Sequence, residues 1–136
     1  MPTPLADIID VFQSVDVETR LDLLLDYSNQ LPALPQQYHA ARDEGMGRVE
    51  ECMTPVFLWT EKDAGRLRIF ADVAEEAPTV KGFVSILVSA FDDAPCAEVV
   101  DAPSDLLKQL GLDGKIRMNR VVGLSAILAR IKRAAA

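Results

Sequence analysis

Apolar residues recur every three or four positions in four stretches of the chain, and this spacing predicts four amphipathic helices. The stripes are Leu5, Ile8, Ile9 and Phe12; Val17, Leu21, Leu24 and Leu25; Val80, Phe83, Val84, Leu87 and Phe91; and, from about Met118 or Asn119 to Arg133, Leu124, Ile127, Leu128 and Ile131. Pro4 suits the first turn of the first helix, while Asp16 and Thr79 offer N-cap oxygens to the second and third.

Between the second and third helices the apolar period changes to two, which is typical of half-buried strands. Pro55–Thr60 and Arg66–Val73 are rich in strand-forming residues, and residues 61–65 are predicted to be the hairpin loop between them. Gly47–Glu50 is expected to add a short strand. Shorter helical pieces are predicted at Tyr38–Arg42, Pro95–Val100 and Pro103–Leu110.

Helices, a small sheet and further helices follow one another along the chain. This order predicts one α+β domain over residues 1–136. Its antiparallel sheet would have about three strands, with the N-terminal and C-terminal helices packed against it.

Composition narrows the function classes. The chain has 136 residues, 49% of them hydrophobic and 26% charged, which is ordinary for a globular domain. Its formal net charge of -7 argues against a nucleic-acid-binding protein. Two cysteines and one histidine are too few for a self-contained four-ligand zinc site of the Cys/His type. No apolar run is long enough to span a membrane and no signal peptide is recognisable, so we expect a cytoplasmic protein with free thiols.

Cys52 is the main candidate for chemistry, because it lies between the charged residues 48–51 and the first strand. A lone cysteine is often simply buried, so a structural role and a reactive role both remain open. The neighbouring Glu50 and Glu51 should raise the pKa of the thiol, and Arg48 should offset part of that effect. Such a thiol suits a sulfur carrier that its partner activates better than it suits a stand-alone enzyme.

Cys96 and His39 are weaker candidates. Cys96 is predicted at the start of a short helix, where packing is its expected role. A redox sensor built from Cys52 and Cys96 would need their Cα atoms within about 7 Å. Nothing in the sequence brings His39 to Cys52, so a Cys–His nucleophile is not expected.

A series of landmarks in order resembles the SufE-like family of sulfur-acceptor proteins. They are Leu31-Pro-Ala-Leu-Pro35, Cys52-Met-Thr-Pro-Val-Phe-Leu-Trp59, Glu76-Ala-Pro-Thr-Val-Lys-Gly82, Leu110-Gly-Leu112 and Arg120-Val-Val-Gly-Leu124. The resemblance covers roughly residues 21–133. The chain departs from the family pattern at Glu51 and Met53 beside the cysteine, where Gly and Gln are common, and at residues 117–119, where Ser-Pro-Ser is common.

The resemblance implies a fold like that of SufE and IscU and a role in iron–sulfur cluster assembly. Cys52 would take a persulfide sulfur from a SufS-like cysteine desulfurase, stimulate that enzyme and pass the sulfur to a SufBCD-like scaffold. The pyridoxal phosphate belongs to the desulfurase, and no cofactor is expected on this chain. Predicted partner contacts are Glu76 and Arg120 from the resemblance, together with Glu51 and Lys81. The alternatives are a non-catalytic binding module, in which Cys52 is only packed, and the redox sensor.

Overall fold

In the computed structural model, which describes residues 3–136 apart from the side chain of Asn119, helices surround a small antiparallel sheet. The helices are α1 (Pro4–Gln13), α2 (Val17–Ser28), α3 (His39–Asp43, preceded by a 3-10 turn at Gln36–Tyr38), α4 (Pro78–Phe91), α5 (Cys96–Asp101), α6 (Leu106–Gln109) and α7 (Met118–Ala135). The strands are β1 (Val56–Asp63), β2 (Arg66–Val73) and β3 (Ala94–Pro95). The predicted α+β class with a three-stranded antiparallel sheet is confirmed.

The β1–β2 hairpin is tighter than predicted. The two strands pair without a break from Val56↔Val73 to Asp63↔Arg66, so the turn contains only Ala64 and Gly65. Both turn residues have positive φ, 52° and 79°, as a two-residue turn of type I′ requires. The prediction of a loop over residues 61–65 was wrong, because the polar residues 61–63 extend β1 and pair across the hairpin with β2.

The third strand lies elsewhere than expected. β3 pairs with Arg66 and Leu67 at the turn end of β2, giving the strand order β1–β2–β3. Residues 47–50 form no strand; they make a single bridge between Arg48 and Phe57.

Helix α4 is the centre of the domain. It packs against β2 and against α1, α2 and α7, so it is buried on nearly all sides and not only along the predicted stripe. Its first residue is Pro78 and its N-cap position is Ala77, which leaves Thr79 inside the first turn. The predicted Thr79 cap was therefore wrong, because Pro78 already occupies the position that begins the helix.

The starts of α1, α2 and α7 agree with the sequence, whereas α6 starts at Leu106, three residues after the predicted Pro103. Pro4 opens α1, and the side chain of Asp16 accepts a hydrogen bond of 2.8 Å from the Thr19 N–H at the start of α2. Helix α7 starts at Met118 and continues to Ala135, two residues beyond the prediction. Within residues 3–136, no helix combines the length and apolar character that crossing a membrane requires.

Candidate functional site

Cys52 lies on a short loop, residues 50–55, that leads into β1. The two ends of this cysteine loop are joined where the Val49 N–H donates a 2.9 Å hydrogen bond to the Val56 carbonyl. One step outward, the Leu58 N–H donates to the Gly47 carbonyl at 2.8 Å. Inside the loop, the Cys52 N–H donates to the Val49 carbonyl at 3.1 Å. Because Val49 and Val56 are fully buried, the base of the loop is fixed to the core.

The thiol itself points inward. Cys52 is 5% exposed, whereas its neighbour Met53 is 80% exposed. The Cys52 side chain lies against Gly123 of α7, so closely that a Cβ atom at position 123 would be 2.6 Å from Sγ and 3.2 Å from the Cys52 Cα. Cys52 is therefore the buried residue of a loop whose other residues are exposed or half-buried.

A hollow of about 160 Å³ adjoins the thiol. Its lining residues come from the cysteine loop, from the first turn of α4 and from α7: Cys52, Met53, Thr54, Val80, Arg120 and Gly123. The walls are mainly apolar, with the half-buried Arg120 as the charged member and Thr54 as a hydroxyl. Arg120 is thus the only charged side chain among the described residues that line the hollow, and Thr54 adds the only hydroxyl.

Burial is the main reason why the pKa of the Cys52 thiol is raised above its usual value. The carboxylate of Glu51 raises this pKa further, and the guanidinium of Arg48 acts in the opposite direction. The predicted signs for Glu51 and Arg48 are confirmed, whereas Glu50 is not among the groups that shift this pKa, and burial, which the sequence did not reveal, contributes most. A raised pKa lowers the fraction of thiolate, which is the reactive form of cysteine.

Helix α7 holds the loop at a second point. The Arg130 guanidinium donates a 3.2 Å hydrogen bond to the Arg48 carbonyl, just before the base of the loop. Arg130 lies two helical turns after Gly123, so the two contacts share one side of α7. Arg120 lies one turn before Gly123 on the same side. Helix α7 thus contacts the thiol through Gly123, lines the hollow through Arg120 and holds the loop through Arg130.

The other predicted partner residues do not line this hollow. Glu51 is exposed on the cysteine loop and Glu76 is exposed in the turn between β2 and α4. Lys81 forms a 2.5 Å ion pair with Glu75 and lines a different hollow, beside Arg42 and Asp72. Of the four predicted contacts, only Arg120 lines the hollow next to the thiol.

Sequence reasoning gave no role to Val80 or Gly123. Val80 was assigned to the core stripe of α4, and Gly123 appeared only as a letter within a motif. The sequence did contain an indication of its role. Glycine in the interior of a helix lowers stability relative to alanine, so its presence there suggests close packing against another group.

The two cysteines lie at opposite ends of the sheet. Cys52 comes just before Val56, the first residue of β1, whereas the Cys96 N–H bonds to the Gly65 carbonyl at the hairpin turn. The intervening β1 has eight residues, or roughly 23 Å at the usual strand rise. A disulfide within the chain is therefore excluded, and the Cys52–Cys96 redox sensor was a wrong alternative.

His39 is engaged elsewhere. Its Nε2 lies 2.9 Å from the Leu34 carbonyl, and the residue lines the hollow that also contains Arg42 and Asp72. The expectation that no Cys–His pair forms agrees with this position. Among the described residues, no group of three or more His, Cys, Asp and Glu side chains is arranged to hold a metal ion.

Comparison with known proteins agrees with this geometry. The model of the SufE family, described as an Fe-S metabolism associated domain, matches residues 6–135. A SufE-like protein of Mycobacterium tuberculosis is 42% identical over 134 residues, which cover 98% of this chain and 92% of the relative. A SufE-like protein of Synechocystis is 25% identical over 124 residues, 90% of this chain and 74% of the relative.

A solved structure has the same fold. The solution structure of a hypothetical protein from Thermus thermophilus aligns with a TM-score of 0.83 at 29% identity, covering 99% of this chain and 95% of the other.

Proposed function

Because the chain belongs to the SufE family, whose domain is associated with Fe–S metabolism, we propose that it accepts sulfur as a persulfide on Cys52. The donor is a cysteine desulfurase that carries a persulfide on its own cysteine, and the pyridoxal phosphate of the reaction stays on that enzyme. The observation that carries the proposal is the hollow beside the recessed thiol, with Arg120 among its lining residues. The acceptor then passes the sulfur to an iron–sulfur scaffold.

The transfer is a thiol–persulfide exchange. Cys52 Sγ, as the thiolate, attacks the outer sulfur of the donor persulfide and forms a new S–S bond. The S–S bond of the donor breaks, and its cysteine leaves as a thiolate that takes the proton given up by Cys52. One persulfide is consumed and one is formed, so the step needs no added oxidant or reductant.

The raised pKa of the resting thiol suits a carrier. A protonated, buried thiol resists stray alkylation and oxidation until a partner engages it. Docking would have to draw the sulfur out of the hollow, which removes the burial that mainly raises its pKa. Activation is then coupled to the presence of the correct donor.

The surface around the loop offers contacts to such a donor. Met53 on the loop and Met118 and Val122 on α7 are large apolar side chains with most or much of their surface exposed. Exposed methionines adapt to the shape of a partner. We assign Glu51, Glu76 and Arg120 to polar contacts around this surface. Lys81 can contribute only by exchanging its Glu75 partner for one on the donor.

Desulfurase turnover tests the proposal. A desulfurase is assayed for alanine production from cysteine, alone and with increasing amounts of the wild-type chain. We expect stimulation by the wild type, none by Cys52→Ser and normal stimulation by the matched control Cys96→Ser. Stimulation by Cys52→Ser equal to that of the wild type would refute the acceptor role and favour a binding module in which Cys52 is only packed.

A further inference from the structure

Gly123 occupies an unusual place for a glycine. It is the sixth of the 18 residues of α7, an interior helical position where alanine is normally more favourable. Gly82, another glycine inside a helix, allows close packing of backbones, because a Cβ there would lie 2.2 Å from the Leu24 carbonyl oxygen. At Gly123 the nearest atom is instead the sulfur of Cys52.

We infer that Gly123 is a positioning residue for Cys52: it fixes the resting place of the thiol and keeps open the space beside Sγ that receives the second sulfur. The second half of this inference rests on the proposed function, and the first half stands without it. A cavity holds a water molecule once it offers about 10–15 Å³. The hollow, at about 160 Å³, has room for one more sulfur atom next to Sγ.

An added methyl group would act on the sulfur first. With Cβ of residue 123 only 2.6 Å from Sγ, the thiol has to move, and the 3.2 Å distance to the Cys52 Cα limits escape by side-chain rotation alone. The cysteine loop would shift away from α7 toward solvent. Since burial is the first cause of the raised pKa, the pKa of Cys52 should fall as the thiol becomes exposed.

Alkylation of Cys52 tests the positioning role without any partner. Wild type, Gly123→Ala and the matched control Val122→Ala, an exposed position on the same helix, are treated with iodoacetamide over a range of pH. Peptide mass spectrometry separates Cys52 from Cys96. For Gly123→Ala we expect faster labelling and a lower pH midpoint, and each unit of lowered pKa raises the thiolate fraction at neutral pH about tenfold. A rate and midpoint equal to the wild type would overturn the inference.

A double-mutant cycle distinguishes a clash with the Cys52 sulfur from a general loss of stability. Gly123→Ala should lower the thermal midpoint when Cys52 is present, and lower it less or not at all in a Cys52→Ala chain, where the Sγ atom is gone. An equal loss in both backgrounds would show that the methyl group presses on the backbone and not on the thiol, which contradicts the inference.

The lifetime of the persulfide on Cys52 tests whether Gly123 keeps space open for the second sulfur. Wild type and Gly123→Ala are loaded with a desulfurase and cysteine, separated from the enzyme, and exposed to a small thiol while the persulfide on Cys52 is followed by mass spectrometry. We expect a shorter persulfide lifetime in Gly123→Ala than in the wild type. Equal lifetimes would overturn the storage role. If the wild type acquires no persulfide at all, the proposed function fails, whereas the alkylation result still decides the positioning role.

Discussion

Substitution of Gly82 by alanine tests how tightly the core fixes the site. Gly82 lies in the first half of α4, where α2 crosses it, and an added Cβ would be 2.2 Å from the Leu24 carbonyl oxygen and 3.0 Å from two Leu24 side-chain atoms. The side chain of Leu24 has rotamers available, but its carbonyl is part of the α2 backbone. The two helices therefore have to separate by about an ångström to reach a normal contact.

The magnitude follows from two opposing effects. Overpacking of this kind typically costs 1–3 kcal/mol, and the backbone position of the carbonyl puts this case near the upper end, about 3 kcal/mol. Replacing glycine by alanine inside a helix returns about 1 kcal/mol. The expected net loss is about 2 kcal/mol in the free energy of unfolding. For a domain of this length, that corresponds to a fall of roughly 6–10 °C in the thermal midpoint.

The assay is thermal and urea unfolding followed by circular dichroism. Ser89→Ala is the matched control, because Ser89 is exposed on the same helix and its replacement should be neutral or slightly stabilising. Since Val80 precedes Gly82 on α4 and lines the hollow, Gly82→Ala should also speed the alkylation of Cys52. A Gly82→Ala protein as stable as the wild type would refute the close approach of α2 and α4.

Two further predictions concern the hairpin and the thiol. Ala64 has a φ of 52°, a conformation that costs a non-glycine residue roughly 1–2 kcal/mol. Ala64→Gly should therefore raise the urea midpoint of unfolding. A lower midpoint would contradict the turn geometry. Glu51→Gln should lower the pKa of Cys52 and speed its alkylation below that pKa, whereas Arg48→Gln should raise the pKa and slow the reaction. Shifts in the same direction for both variants would refute these electrostatic roles.

Periodicity in the sequence located the long elements well, because each has a clear apolar face. It failed where tertiary contacts decide the structure. Ala94–Pro95 is a strand only because the first two residues of β2 lie beside it, and a strand of two residues is too short to show a period. The polar residues 61–63 looked like a loop, yet their partners across the hairpin make them a strand. The full burial of α4 depends on three helices and a strand that surround it, which no local pattern of α4 records.

The sequence likewise predicted some features of the candidate site and missed others. Cys52 was a candidate from its place in the chain and Arg120 from the resemblance to the SufE family, and the electrostatic signs of Glu51 and Arg48 followed from their positions beside Cys52. The burial of the thiol did not, because it is produced by α7, some seventy residues later in the sequence. The role of Gly123 depends on how closely the Cys52 side chain approaches α7, and only the three-dimensional structure gives that distance. Lys81, predicted to contact a partner, forms an ion pair with Glu75 of its own chain.

The most direct test of the central claim is the mass of the peptide that contains Cys52 after brief incubation of the chain with a cysteine desulfurase and cysteine. The account predicts an addition of one sulfur atom on Cys52, removed by a reducing thiol, and no such addition on Cys96. An unmodified Cys52 peptide, obtained while the desulfurase carries its own persulfide, would contradict the account.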